Sequence, residues 1–166
     1  MRRTMVETER MVLTTWLPED FEDLSGLHSD AETMRWIRPG RPETPDETRA
    51  RLASYLVDQE EGAAKWRVED RRSGGFVGRA GFGGDVTHRE LGYTLRREAW
   101  GRGLATELAL ALVAWHIEHP LCAAPGDLTA YAAVTNPASC RVLEKAGLTY
   151  VEERVHNGQA SAYYRL

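Results

Sequence analysis

The run ELGYTL (Glu90–Leu95), followed four residues later by WGRGLATE (Trp100–Glu107), decides the fold of this chain. ELGYTL alternates with a period of two, so Leu91, Tyr93 and Leu95 share one face of a strand and Glu90, Gly92 and Thr94 the other. Glycines stand at 101 and 103, and an apolar run then begins at Leu104. That run reads as a helix to His119, apolar almost all round, as expected of a helix packed against a sheet. A glycine-rich turn feeding a helix N-terminus is a ready-made cradle for phosphate.

Upstream, KWRVED alternates, RSGG turns, and FVGRAGFGG is a strand loosened by its glycines. Short turns join these segments to ELGYTL, so the three strands pair antiparallel. RMVLTTWL (Arg10–Leu17) is an opening strand. PEDFEDLSGLH follows as a short helix, with Phe21, Leu24 and Leu27 on one face. RPGRPETP (Arg38–Pro45) is a loop that ends in Thr44-Pro45-Asp46-Glu47, a capping box with proline at the first helical position. The helix it opens turns Thr48, Leu52, Tyr55, Leu56 and Gln59 inward and can stop at Gly62.

Downstream, DLTAYAAV (Asp127–Val134) is a strand. NPASCRVLEKAG carries Asn136 as cap, Pro137 at the first position and Gly147 just past the end of a helix. The last segment folds back on itself at Asn157-Gly158, a strong hairpin signal. The order β-α-α-β-β-β-α-β-α-β-β predicts an α/β (α+β) fold, a mixed central sheet of about seven strands flanked by about four helices. With 166 residues and no linker or repeat, residues 1–166 read as one domain.

Composition excludes several classes. Lys+Arg 21 against Asp+Glu 25 gives a formal net charge of −4, which is no nucleic-acid footprint. MRRTMVETER has no apolar run behind its arginines, so it is not a secretory signal. LATELALALVAWHI is interrupted by Glu107 and is too short to span a bilayer. Cys122 and Cys140 make no disulfide framework, which points to a reducing cytoplasm. His116, His119 and Cys122 have a suggestive spacing, but they fall at a helix end, where imidazoles suit the dipole, and no metal is assigned. Cys140 reads as a small buried filler rather than a nucleophile. No G-x-S-x-G elbow is present.

The glycine turn leaves three readings open. A Walker A loop needs Gly-Lys-Ser/Thr, which is absent. A dinucleotide fingerprint starting at Gly101 meets Thr106 where glycine or alanine belongs. The plainest reading is a strand-to-helix joint with no ligand. Taken with NPASCRVLEKAGL, however, ELGYTL…AWGRGLATE resembles the GNAT superfamily of acetyl-CoA-dependent N-acetyltransferases. Within it the resemblance is closest to the branch that includes ribosomal-protein N-terminal alanine acetyltransferases, and it covers essentially the whole chain.

The resemblance implies acetyl-CoA as co-substrate. The family's pyrophosphate loop, Q/R-x-x-G-x-G/A, maps onto Trp100-Gly101-Arg102-Gly103-Leu104-Ala105, with Trp100 in place of Gln or Arg. Backbone N–H groups from Arg102 to Thr106 would converge on the pyrophosphate. By the same resemblance, Leu95 and Asn136 meet the pantetheine arm, and Arg97, Arg102 and Arg141 face phosphates. Glu90 is the candidate base, directly or through a water, and Ser139 the group beside the thioester sulfur. Trp36 would line the acceptor pocket. The acceptor would be a small amine or a protein N-terminus, with no nucleic acid or membrane partner, and the chain a monomer or homodimer. A catalytically idle module that binds acyl-CoA is the alternative; retention of Glu90 and Ser139 favours the enzyme.

Overall fold

A computed structural model describes residues 1–59, 64–85, 87–120 and 128–166. Eight strands form one sheet: β1 (Thr4–Glu7), β2 (Met11–Thr14), β3 (Lys65–Asp70), β4 (Phe76–Gly84), β5 (Arg89–Leu95), β6 (Leu128–Ala133), β7 (Thr149–His156) and β8 (Gln159–Arg165). Their order is β1-β2-β3-β4-β5-β6-β8-β7. Only β5 and β6 run parallel, joined by the crossover through a helix. The described helices are α1 (Phe21–His28), α2 (Ala31–Met34), α3 (Pro45–Asp58), α4 (Leu104–Glu118) and α5 (Pro137–Lys145).

Among the described residues the sheet has one strand more than the pattern predicts, and there is one short helix more. The extra strand, β1, lies at the sheet edge in a segment rich in charge, and Val6 alone among its side chains is buried. An edge strand tolerates such exposure, so the apolar alternation that betrays a central strand is missing. The extra helix, α2, spans a single turn capped by Asp30, whose side chain accepts from the Thr33 N–H.

The signals that were read locally form as expected. Thr44 and Glu47 close a reciprocal capping box on α3, and Thr48, Leu52, Tyr55 and Gln59 are buried along it. Asn136 caps α5 by accepting from the Ser139 N–H, and Gly147 follows that helix with φ of +96°. Asn157 and Gly158 both take positive φ, as a primed hairpin turn requires. Gly62 and Asp127 lie outside the described residues.

Each face of the sheet carries a core. Trp66, Val68, Ala80, Phe82, Leu91 and Leu95 pack with Leu104, Leu108 and Leu112 of α4 and Leu143 of α5. On the opposite face, Trp16, Leu24, Leu27, Leu52, Tyr55 and Phe76 form a second cluster with α1 and α3. Helix α4 is apolar all round but covered on one side only: Leu110 and Ile117 are about half exposed.

The register fixes where a site can lie. Among the described residues, strands β5 and β6 pair only at Arg89–Leu128, Glu90–Thr129 and Leu91–Ala130. β5 then runs on to Leu95 and β6 to Ala133 without pairing, so the sheet parts at its centre.

Candidate active site

A cleft of about 1150 Å³ opens where β5 and β6 part. Residues from Glu90 to Leu95 line one wall and Tyr131 to Ala133 the other. The turn before α4 and the first turn of α5 border it on one face of the sheet, and Lys65, Arg79 and Tyr55 border it on the other. The cleft therefore passes from the α4–α5 side to the α1–α3 side.

At the α4 end, Gly101 and Gly103 have φ of +70° and +77°. A Cβ on Gly101 would meet nothing within 4 Å, and one on Gly103 only Arg10 Nη2 at 3.7 Å. Backbone conformation, rather than crowding by the protein, demands glycine here. The first hydrogen bond of α4 runs from Glu107 N–H to the Gly103 carbonyl. The N–H groups of Leu104, Ala105 and Thr106 consequently precede the helical ladder, and no side chain caps them. Arg10 clamps the turn: Nε pairs with Glu107 at 2.7 Å and Nη1 donates to the Arg102 carbonyl at 2.9 Å.

Gly101, Gly103, Leu104, Ala105, Thr106, Leu95 and Asn136 all line the cleft. Arg97, Arg102 and Arg141 do not: Arg97 Nε pairs with Asp30 at 2.8 Å, and the other two are exposed beside the cleft-lining turns. The Leu95 carbonyl accepts from the Trp100 indole at 2.8 Å, so it is already engaged. Trp100 lies 6.4 Å from Trp36, centroid to centroid, and Trp36 Nε1 donates to Thr135 Oγ1 at 3.2 Å. The two tryptophans thus tie the α2 segment to the far wall.

Ser139 reaches the cleft from α5, and its Oγ lies 2.8 Å from Tyr93 Oη on β5. Burial pushes the Tyr93 phenol up to about 12, so it keeps its proton at neutral pH. Alternation placed Tyr93 on this face; its hydroxyl contact with α5 depends on the tertiary fold.

Glu90 lies on the opposite face of β5, one-third exposed, with His156 Nε2 3.6 Å from its carboxylate. His156 stacks flat on Tyr131 at 3.8 Å. On the same face, Gly81, Gly83 and Gly92 strip side chains from the sheet, and Lys65 fills that space from β3. A Cβ on Gly92 would come within 2.8 Å of Lys65 Nζ. Burial, with Arg79 next, lowers the Lys65 amine to about 8.

A buried relay holds Arg79. Its Nε donates to His28 Nε2 at 3.0 Å, and His28 Nδ1 lies 2.8 Å from Glu43. A guanidinium can only donate, so Nε2 is the acceptor and Nδ1–H donates to Glu43. Burial and Arg79 together depress His28 to about 3, keeping the ring neutral. Glu43 also accepts from Thr48 and Arg51, which places one carboxylate of the Arg38–Pro45 loop deep in the protein. Sequence pattern found none of Lys65, Arg79, His28 or Glu43; the two lysines among 21 basic residues were the available signal.

The histidines near the end of α4 serve other contacts. His116 meets Arg89 at 3.1 Å, and His119 stacks on Trp115 at 4.3 Å. Cys122 lies outside the described residues, and among the described residues no cluster of three metal-binding side chains occurs.

The acetyltransferase (GNAT) domain model matches residues 10–149. The chain belongs to the GNAT acetyltransferase family. This GNAT chain is 28% identical to the protein YkkB of Bacillus subtilis over 137 residues, covering 80% of this chain and 70% of YkkB. It is 25% identical to the N-acetyltransferase YoaA of the same organism over 147 residues, covering 86% and 81%. Among solved structures, RimL, a ribosomal α-N-protein acetyltransferase in complex with coenzyme A, superposes with a TM-score of 0.82 at 16% identity, covering 99% of this chain and 97% of RimL. The fold of this GNAT chain is that of RimL. No described helix is long and apolar enough to cross a membrane.

Proposed function

We propose that this GNAT chain moves the acetyl group of acetyl-CoA to a primary amine, on a small molecule or a protein N-terminus, without a covalent enzyme intermediate. The observation that carries this reading is the parted β5–β6 pair, with Ser139 and Tyr93 on one side of the opening and Glu90 on the other. The solved relative with coenzyme A bound, and its protein N-terminal acceptor, support it.

The free N–H groups of Leu104, Ala105 and Thr106 and the dipole of the 15-residue α4 suit a pyrophosphate. Asn136, beside the opening, would meet the pantetheine arm. A backbone N–H near Thr94–Leu95 would polarise the thioester carbonyl. The amine nitrogen then bonds to the carbonyl carbon and the C–S bond breaks. Glu90, directly or through a water, accepts the proton that the amine loses. Ser139, held by the protonated Tyr93, gives a hydrogen bond or proton to the leaving sulfur.

The test is release of free thiol from acetyl-CoA with a panel of small amines and N-terminal peptides, repeated with Glu90→Gln. At least one acceptor should be turned over, and the variant should lose on the order of 10²–10⁴ in rate near neutral pH, partly recovered as pH rises. Wild-type silence with every amine, alongside tight acetyl-CoA binding, would leave an idle binding module instead.

A further inference from the structure

Lys65 and Arg79 are placed as if for a ligand. Both border the cleft on the acceptor face of the sheet. Arg79 is 3% exposed, and its one hydrogen bond among the described residues is through Nε to His28. No other side-chain hydrogen bond or ion pair to Arg79 occurs among the described residues, and its guanidinium carbon lies 5.9 Å from the Tyr55 ring centroid, which also borders the cleft. The Lys65 amine makes no ion pair or hydrogen bond among the described residues, and the charges acting on it are Arg79, Arg51 and Glu90. Arg51 is already engaged by Glu43. Two neighbouring cations, Arg79 buried and Lys65 half-buried, repel each other and cost desolvation energy. A structure that spends His28 and Glu43 to fix one of them in place is built to receive an anion.

The register gives the spacing. Glu90 stands opposite Gly83, Gly92 opposite Gly81, and Thr94 opposite Arg79. Lys65 Nζ lies over Gly92, two residues along β5 from Glu90, a rise of roughly 7 Å. An ammonium at Glu90 and an anion at Lys65 would thus be held a few bonds apart on one floor.

Building on the acetyl-transfer reading, we propose that the acceptor amine of this enzyme carries an anionic group, a carboxylate or a phosphate, bound by Lys65 and Arg79. Glu90 takes the amine end, and the two cations take the anionic end. The chain's negative net charge makes this paired cationic pocket a local device rather than a general affinity for anions.

Paired acceptors test it: glutamate against glutamine amide, O-phosphoethanolamine against ethanolamine, and peptides beginning with Asp against Asn. The wild type should prefer the anionic member of at least one pair by about tenfold or more in kcat/KM, and the pairs separate carboxylate, phosphate and peptide sources. Lys65→Met should cut kcat/KM for the anionic member about 30-fold, through KM, and spare the neutral one. Lys65→Arg should recover most of it. Equal or better use of the neutral members, or a ratio unchanged in Lys65→Met, would overturn the proposal. Calorimetric titration of the same compounds into the coenzyme A complex supplies a readout independent of turnover. Binding that weakens in Lys65→Met without thiol release from any amine would support the anion site and sink acetyl transfer. Anionic compounds that do not bind the wild type, or bind the variant equally, would sink the anion site.

Discussion

Lys65→Met should make this enzyme more stable near neutral pH, an outcome unusual for a change at a half-buried position. Burial and Arg79, only partly offset by Glu90, bring the amine from 10.5 down to about 8. At about 1.4 kcal/mol per unit, the charged amine costs the folded state up to about 3 kcal/mol at pH 7. The amine borders an open cleft, which solvates it in part, so about 1–3 kcal/mol is the expected gain. Methionine keeps the unbranched apolar stem and is one atom shorter, lacking only the amine that lies over Gly92 and Gly83. The sign follows from linkage. Between pH 8 and 10.5 the unfolded chain holds the proton and the folded one does not, so wild-type stability rises with pH across that window. Above about pH 10.5 both states are neutral and the advantage of the variant vanishes. Urea titrations of both proteins at pH 7, 9 and 11 measure the difference. Because Lys65 and Lys145 are the chain's two lysines, 13C-methylated protein reports the amine directly by NMR. A Lys65→Met protein less stable than wild type at pH 7, or a Lys65 amine titrating at 10 or above, would refute the reasoning.

Gly103→Val forces a β-branched residue to φ of +77° at the start of α4, so the turn must shift and a side chain stands where the pyrophosphate would lie, and acetyl-CoA binding should weaken by about tenfold or more; unchanged affinity by calorimetry would displace the pyrophosphate from this turn. Tyr93→Phe removes the partner of Ser139 Oγ and should lower kcat about tenfold while the acetyl-CoA KM holds, as steady-state kinetics would show. Acid should destabilise the fold early: the unfolded His28 takes a proton near 6.5 while the folded ring resists until about 3, so stability falls by about 1.4 kcal/mol per unit as pH drops through that window. His28→Gln, which can still accept from Arg79 and donate to Glu43, should flatten that part of the stability–pH curve.

Most of the chain was legible because its signals are local. Capping boxes, Asn-Gly and the two-residue period of ELGYTL each act within a few positions, and each produced its element. β1 was missed because an edge strand needs no apolar alternation, and α2 because a single turn has no periodicity to read. The cofactor half of the candidate site was likewise written contiguously, in the glycine turn and the first turn of α5. Arg97, Arg102 and Arg141 stand beside those motifs but outside the cleft lining, since motif proximity says little about which way a long side chain runs; Arg97 pairs with Asp30.

The cationic part of the acceptor half was illegible for a physical reason. Its groups come from α1, the Arg38–Pro45 loop, β3 and β4, separated by as many as 51 residues between His28 and Arg79. Nothing in a strand reading KWRVED says that its first residue will bend across two neighbouring strands. That path exists because Gly83 and Gly92 leave no side chains in the way, and a Cβ at 92 would stand 2.8 Å from the amine. Gly83, one of the glycines that loosen FVGRAGFGG, and Gly92 of ELGYTL are thus what admit Lys65 to the cleft. Their cost in strand propensity and the cost of desolvating Lys65 fall at one place, where an acceptor's anionic group would offset the second.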